Sequence, residues 1–240
     1  MAEMISDIGN VRSVNEDYVD MDRTKDYGLY VVCDGVGGHK AGEVASQEAG
    51  RFIKEYLRAH YNRNIAPHIL EAAIQGANER VFQLGQAYEE YSGMGTTVTC
   101  ALDVGSDVFV AHAGDSSAYL MKGERIAKLT KDHSVVQQLH DEGQISEEEM
   151  RHHEMKNIIT RSLGTHKDLK VDILEVEKNQ FDQMILCTDG LTDYVRKEEM
   201  MIERQKIKDD RQYLERLVGL AKARGGHDNI SAVIFKGEAR

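Results

Sequence analysis

Three apolar runs in this chain close on an aspartate beside a glycine. Leu29-Tyr30-Val31-Val32-Cys33 meets Asp34-Gly35, Val108 to Ala113 meets Gly114-Asp115, and Met184 to Thr188 meets Asp189-Gly190. A strand delivers its last side chain to a fixed spot on the sheet edge. Glycine lets the backbone turn there and bring a carbonyl near whatever the carboxylate holds. Carboxylate oxygens are preferred ligands of hard cations such as Mg²⁺, Mn²⁺ and Ca²⁺. Gathered without a cation, they repel until some of them take up protons. Any one Asp-Gly pair alone reads as a turn; the neighbouring segments change its weight.

Those segments are Arg12-Ser13-Val14-Asn15-Glu16-Asp17, Asp34-Gly35-Val36-Gly37-Gly38-His39 and Met94-Gly95-Thr96-Thr97. They continue with Gly114-Asp115-Ser116-Ser117-Ala118-Tyr119, Thr188-Asp189-Gly190-Leu191-Thr192-Asp193 and Gly226-His227-Asp228-Asn229-Ile230. In this order the set resembles the PPM family of metal-dependent protein phosphatases, the type 2C enzymes, in compact bacterial form. The resemblance runs from about Ile5 to Phe235, and Asp132-His133-Ser134 and Ile159 to Gly164 also fit it.

The resemblance implies metal-dependent hydrolysis of phosphoserine and phosphothreonine on proteins, reversing bacterial serine/threonine kinases. It implies Mn²⁺ or Mg²⁺ as cofactor, two core ions and a third. Carried over by motif, Asp34 bridges two ions and the Gly35 carbonyl binds one of them. Asp189 and Asp228 complete the second ion's ligands, and Asp115 with Asp189 resembles the third site. Glu16 and Asp17 hold metal-bound waters. Two cations about 3.5–4 Å apart can share a hydroxide in line with phosphorus. Arg12 has the fork of donors that matches two phosphate oxygens. His39 is the expected general acid for the leaving alkoxide.

Plainer readings exist for the same residues. Outside its motif, Arg12 would read as a surface ion-pair residue, and His39 as loop decoration. The glycines from Gly35 to Gly42 lack the Gly-Lys-Ser/Thr of a nucleotide-phosphate loop. His152-His153 on a polar segment reads as a solvated face rather than a zinc site. Two departures from the family pattern stand out: Glu154 follows the paired histidines where proline is frequent, and Ser117 stands where arginine is usual. A catalytically dead binding module would have lost one of Asp34, Asp189 and Asp228, and all three are present. A metal-assisted hydrolase of small phosphate esters, or of an anti-sigma-factor antagonist, would share the metal core and differ around the flap.

The elements that must position these residues alternate in period. Helical spacing runs from Ala41 to Tyr61, with Val44, Ala45, Ala49, Phe52, Ile53, Tyr56 and Leu57 on one face. A second helical segment follows Pro67, whose fixed φ suits a first turn. Strand-like runs cover Thr96 to Leu102, Val108 to Ala113, Ala118 to Met121, Leu169 to Val176, Gln183 to Thr188 and Ile230 to Phe235. Polar, helix-favouring sequence fills His133 to Lys156, and Gln212 to Ala223 forms a last helix. The order points to an α+β fold. The resemblance makes it a central β-sandwich of two antiparallel sheets flanked by helical pairs on both faces. It forms one phosphatase domain over 1–240, with a mobile flap around 142–165.

Composition sets the remaining bounds. The net charge of −11 disfavours a general nucleic-acid binder. No apolar run reaches the length of a membrane span, and no signal-peptide layout opens the chain. Cys33, Cys100 and Cys187 are scattered among apolar residues, which reads as reduced thiols in a cytoplasmic protein. The expected partners are phosphorylated proteins, a cognate kinase among them, with no nucleic acid and no membrane, and the expected state is a monomer.

Overall fold

Leu29 to Cys33 is apolar at every position because both faces of its strand are buried. Leu29, Val31 and Cys33 pack into one core cluster, Tyr30 and Val32 into another. This is the period-two alternation of a strand set between two layers.

The computed structural model describes residues 2–37 and 40–237. In chain order the strands are β1 (Ala2–Asp7), β2 (Asp17–Arg23), β3 (Gly28–Val36), β4 (Gly95–Thr96), β5 (Val98–Val104) and β6 (Asp107–Ala113). They continue with β7 (Ser117–Lys122), β8 (Arg125–Lys128), β9 (Asp172–Glu177), β10 (Gln183–Cys187) and β11 (Ile230–Lys236). The helices are α1 (Lys40–His60), α2 (Ala66–Ala87), α3 (Val135–Asp141), α4 (Glu147–His152), α5 (Asp189–Thr192), α6 (Lys197–Lys206) and α7 (Asp210–Ala223).

One antiparallel sheet has the order β1-β11-β10-β7-β8 and the other β2-β3-β5-β6-β9, with β4 pairing the end of β3. Between them lie Tyr30, Val32, Val110, Met184, Leu186, Val233 and Phe235. Tyr30 and Phe235 stack across the sandwich, ring centroids 3.9 Å apart and 4° from parallel. Ala45, Ala49, Ile53 and Leu57 of α1 and Leu70, Ala73, Ile74, Ala77 and Val81 of α2 cover the outer face of the second sheet. Met200 of α6 with Tyr213, Leu214, Leu217 and Val218 of α7 covers the first. The layering is therefore α-β-β-α, as the resemblance implies. Each fully buried aliphatic side chain contributes about 1.5–3 kcal/mol of transfer free energy.

Local differences have physical causes. β3 does not stop at Asp34-Gly35; it continues to Val36, and the turn comes at Gly37, where φ is +128°. Asp189-Gly190 is not a turn either but the start of α5, where a carboxylate lies next to free helix N–H groups. The polar stretch 133–156 forms two short helices, each N-capped by a serine, Ser134 and Ser146, with Gly143 at φ +72° between them. Pro67 does stand in the first turn of α2. β2 and α6 carried too few apolar residues to stand out by periodicity. Asp20 and Asp22 of β2 are instead paired with Lys54 and Arg58 of α1.

Candidate active site

The start of β2, the ends of β3 and β10 and the start of β11 meet at one edge of the sandwich, and the carboxylates meet there with them. Asp17 pairs with Asp34 across the β2–β3 ladder. Burial, then Asp17, Asp189, Asp115 and Asp228 in turn, push the Asp34 carboxyl well above the usual carboxylate range. Asp17 is pushed up to about 7, first by burial, against the pull of hydroxyl donors at Ser231 and Thr188. Asp189 is raised to about 6 by burial, Asp193 and Asp228, and it shares a hydrogen bond with Asp34. Asp115 is raised by burial, Asp189 and Asp132. These shifts are what like charges in a poorly hydrated place produce.

Backbone locks hold Asp34 in position. Its N–H donates to Thr97 Oγ1 at 2.9 Å, and its carbonyl accepts from the Thr97 N–H at 2.8 Å and from Thr96 Oγ1 at 2.9 Å. The Gly35 N–H donates to the Glu16 carbonyl at 3.1 Å. A Cβ on Gly35 would lie 2.2 Å from the Gly42 carbonyl oxygen, so only glycine lets β3 pass the first turns of α1. A Cβ on Gly190 would lie 2.0 Å from the Asn229 carbonyl oxygen, and that close approach sets the start of α5 against the residues before β11.

Arg12 stands on the exposed loop between β1 and β2. Its Nη2 donates to Asp228 Oδ2 at 2.8 Å, and Glu16 Oε2 lies 3.7 Å from Nη1. Hydrogen bonding to Asp228 holds the guanidinium pKa above its ordinary value. Asn229 fixes the loop itself: its Nδ2 donates to the Ile8 and Val14 carbonyls, both at 3.0 Å, and its Oδ1 accepts the Glu16 N–H at 2.8 Å. Asp115 follows Gly114, whose N–H donates to His133 Nδ1 at 3.1 Å and whose carbonyl accepts from the His133 N–H at 2.7 Å. The His133 ring also meets Asp172 at 3.1 Å.

The fold thus brings together Arg12, Glu16, Asp17, Asp34, Asp115, Asp189 and Asp228. His39 lies outside the described residues. Among the described residues no three histidine, cysteine or carboxylate side chains are grouped as around one metal ion. The donor set nevertheless suits a hard divalent cation. Burial and neighbouring carboxylates raise the pKa of Asp17, Asp34, Asp115 and Asp189, and Asp189 Oδ1 is buried without a hydrogen-bond partner among the described residues.

A family model described as protein phosphatase 2C matches residues 10–229. The chain belongs to the protein phosphatase 2C family. It is similar to the serine/threonine phosphatase stp of Listeria innocua, 35% identical over 98% of this chain and 95% of that protein. It is also similar to the crystal structure of the serine/threonine phosphatase Stp1 from Staphylococcus aureus, with a TM-score of 0.93 and 35% identity. That match covers 98% of this chain and 94% of the other. Against the Mycobacterium tuberculosis serine/threonine phosphatase PstP/Ppp the TM-score is 0.87 at 32% identity, covering 98% and 97%.

Several residues of this phosphatase fold act on the site without having been assigned a role from sequence. Thr96 and Thr97 follow Met94-Gly95 in sequence, and only their hydroxyl contacts in the fold show that both grip the Asp34 backbone. Asn229 likewise stood next to Asp228, and its partners lie more than two hundred positions away. Thr188 Oγ1 donates to Asp17 Oδ2 at 2.9 Å. Nothing in spacing or periodicity marks such long-range pairs.

Proposed function

We propose that this chain hydrolyses phosphoserine and phosphothreonine monoesters on proteins, with divalent cations held by its aspartate cluster. Asp34, the Gly35 carbonyl, Asp189 and Asp228 would hold two core ions, Asp115 with Asp189 would hold a third, and Glu16 and Asp17 would act through water. Bound there, Mn²⁺ or Mg²⁺ supplies positive charge against the phosphoryl oxygens and lowers the pKa of an attacking water. The observation that carries this reading is the convergence of Asp17, Asp34, Asp115 and Asp189 at one buried edge, where burial and mutual repulsion raise their pKa values and a bound cation would offset both.

The chain's own residues do the rest. Arg12 presents two parallel N–H groups to phosphoryl oxygens, and Asp228 aims it. Asn229 holds the Arg12 loop to β11, so the guanidinium arrives without ordering a free loop first. Thr96 and Thr97 keep Asp34 from withdrawing when its neighbours ionise. His39 gives a proton to the departing serine or threonine oxygen. No cysteine takes part: Cys33, Cys100 and Cys187 are buried, and burial raises the pKa of each thiol. The partner we assign is a serine/threonine kinase and the proteins it phosphorylates, in the cytoplasm, with the phosphatase acting as a monomer.

Phosphate release from a phosphothreonine peptide, with Mn²⁺, with EDTA and with Asp34→Ala, tests the reading. Metal-dependent release that disappears with Asp34→Ala supports it. Absence of release in every arm, with Mn²⁺ binding confirmed by calorimetry, overturns it.

A further inference from the structure

Beside the aspartate cluster two hollows share one wall. A cavity of about 240 Å³ has Asp115 and Asp189 at its lining and runs beneath α4. A cleft of about 420 Å³ adjoins it, and Arg151, Lys156, Asp193 and Arg196 line both. Arg224 and Glu199 line the cleft as well.

In a chain of net charge −11 the cleft has the opposite sign. Its lining carries four cations, Arg151, Lys156, Arg196 and Arg224, against two carboxylates, Asp193 and Glu199. Both carboxylates are already engaged. Lys156 Nζ lies 2.5 Å from Asp193, and Arg224 grips Glu199 with two bonds of 2.6 and 2.9 Å. Arg196 meets Glu148 of α4 at 3.2 Å. Arg151, half-buried at the end of α4, has no ion pair or hydrogen bond among the described residues. A partly desolvated guanidinium with no ion pair of its own among the described residues, in a cleft whose carboxylates are already paired, favours an incoming anion.

The cleft also connects to the reacting centre through the chain. The Asp193 N–H donates to the Asp189 carbonyl at 2.8 Å. Tyr194 Oη lies 2.5 Å from Nδ1 of His227, the residue before Asp228. The cleft wall is thus tied by hydrogen bonds to Asp189 and to the residue before Asp228, where the phosphorylated side chain is held in the reading above.

We propose that the cleft selects phosphoprotein substrates that carry an acidic side chain near the phosphorylated residue, and that Arg151 is the cation that meets it. The proposal rests on the phosphoprotein reading above. It fixes a substrate preference that the aspartate cluster does not. Asp and Glu side chains have the planar carboxylate that a guanidinium fork matches, and lysine in the same place meets the like charge of Arg151.

The test uses three phosphothreonine peptides of one sequence, with Glu, Gln or Lys at the two positions on either side of the phosphothreonine. A small aryl phosphate serves as the control that cannot reach the cleft. Wild type, Arg151→Ala and Arg151→Glu are compared, with thermal melting to confirm folding. For wild type, kcat/KM falls from Glu to Gln by about five- to tenfold, the scale of one charge-assisted contact, and falls again to Lys. The difference lies in KM. Arg151→Ala flattens the series, Arg151→Glu inverts it, and aryl phosphate turnover is the same in all three proteins. Equal kcat/KM on the three peptides, or a Glu preference that survives Arg151→Glu, overturns the proposal. Turnover of the aryl phosphate with none of any phosphopeptide overturns the phosphoprotein reading itself, and this inference with it.

Discussion

Asp17 stands directly opposite Asp34 in the β2–β3 ladder, one carboxylate facing another across neighbouring strands. Like charges in that position destabilise a sheet. Burial first, and then Asp17, pushes the Asp34 carboxyl up, and burial first pushes Asp17 up to about 7. Asp34→Asn removes one charge and keeps the shape. The metal-free variant is expected to melt several degrees above metal-free wild type, about what a gain of 1 kcal/mol gives. Its Mn²⁺-dependent phosphatase activity is expected to drop by about a thousandfold or more, the scale of a lost central electrostatic group. Melting curves with EDTA and turnover with Mn²⁺ check both halves. Lower stability for Asp34→Asn would contradict the repulsion inferred here.

His112 gives the fold an acid-sensitive side. It is buried, stacks on His133 at 4.8 Å between ring centroids, and bonds Thr99 and the Lys131 carbonyl. Burial, and then the neighbouring His133, lower its pKa to about 3 from the ordinary 6.5. Below pH 6.5 the unfolded chain binds a proton that the folded chain refuses, so this group costs stability as pH falls from about 6.5 towards 3. Its share of the slope approaches about 1.4 kcal/mol per pH unit. Between pH 6 and 4 the stability of His112→Gln is expected to fall less steeply than that of wild type. Parallel curves from urea unfolding would refute the assignment.

Asp115 separates two uses of the cluster. Asp115→Ala is expected to leave the ligands of the two-ion core in place, so tight Mn²⁺ binding survives while turnover falls about ten- to a hundredfold, the range seen when metal-tuning groups are lost. Isothermal titration and steady-state kinetics at saturating Mn²⁺ make the comparison. Unchanged turnover would show that a third ion is not needed.

For His39 the leaving group is the probe. His39→Ala is expected to cost most on phosphoserine peptides, about a hundredfold, because an alkoxide needs a proton as it departs. On a nitrophenyl phosphate, whose leaving group is a weak base, the loss is expected to be small. Equal losses on the two substrates would remove His39 as the acid.

Away from the site, Lys178 Nζ and Asp103 Oδ1 lie 2.5 Å apart with both side chains almost fully buried. Lys178→Met alone is expected to cost about 3–5 kcal/mol, because it leaves a carboxylate in the interior. Adding Asp103→Leu is expected to restore most of that. Chemical denaturation of the three proteins closes the cycle, and additive losses would rule out the coupling.

Legibility in the sequence followed the physics of each signal. β3 and β11 were visible because both faces are buried, which makes them continuous apolar runs; α1 and α2 were visible because one face is. β2 was not, since Asp20 and Asp22 alternate with its apolar residues and are offset by Lys54 and Arg58 on a helix far along the chain. α6 is nearly all polar, and only Met200, Met201 and Glu203 are buried in it. The acidic motifs were legible as residue types in an order. Their convergence came only from the family resemblance, because Asp17, Asp34, Asp189 and Asp228 come from four separate segments and nothing in their spacing brings them together.

The sequence by itself determined the family, the layered class and the identity of the aspartates, since strand and helix periods and Asp-Gly pairs are local properties. Only the tertiary structure decided that Asp17 faces Asp34, that Thr96 and Thr97 grip the Asp34 backbone, and that Asn229 pins the Arg12 loop. It also decided that Arg151 lines a cleft without an ion pair of its own among the described residues. Each of these depends on sheet register or on packing between distant segments. Register and packing are set by the joint burial of many side chains, which no short stretch of chain encodes.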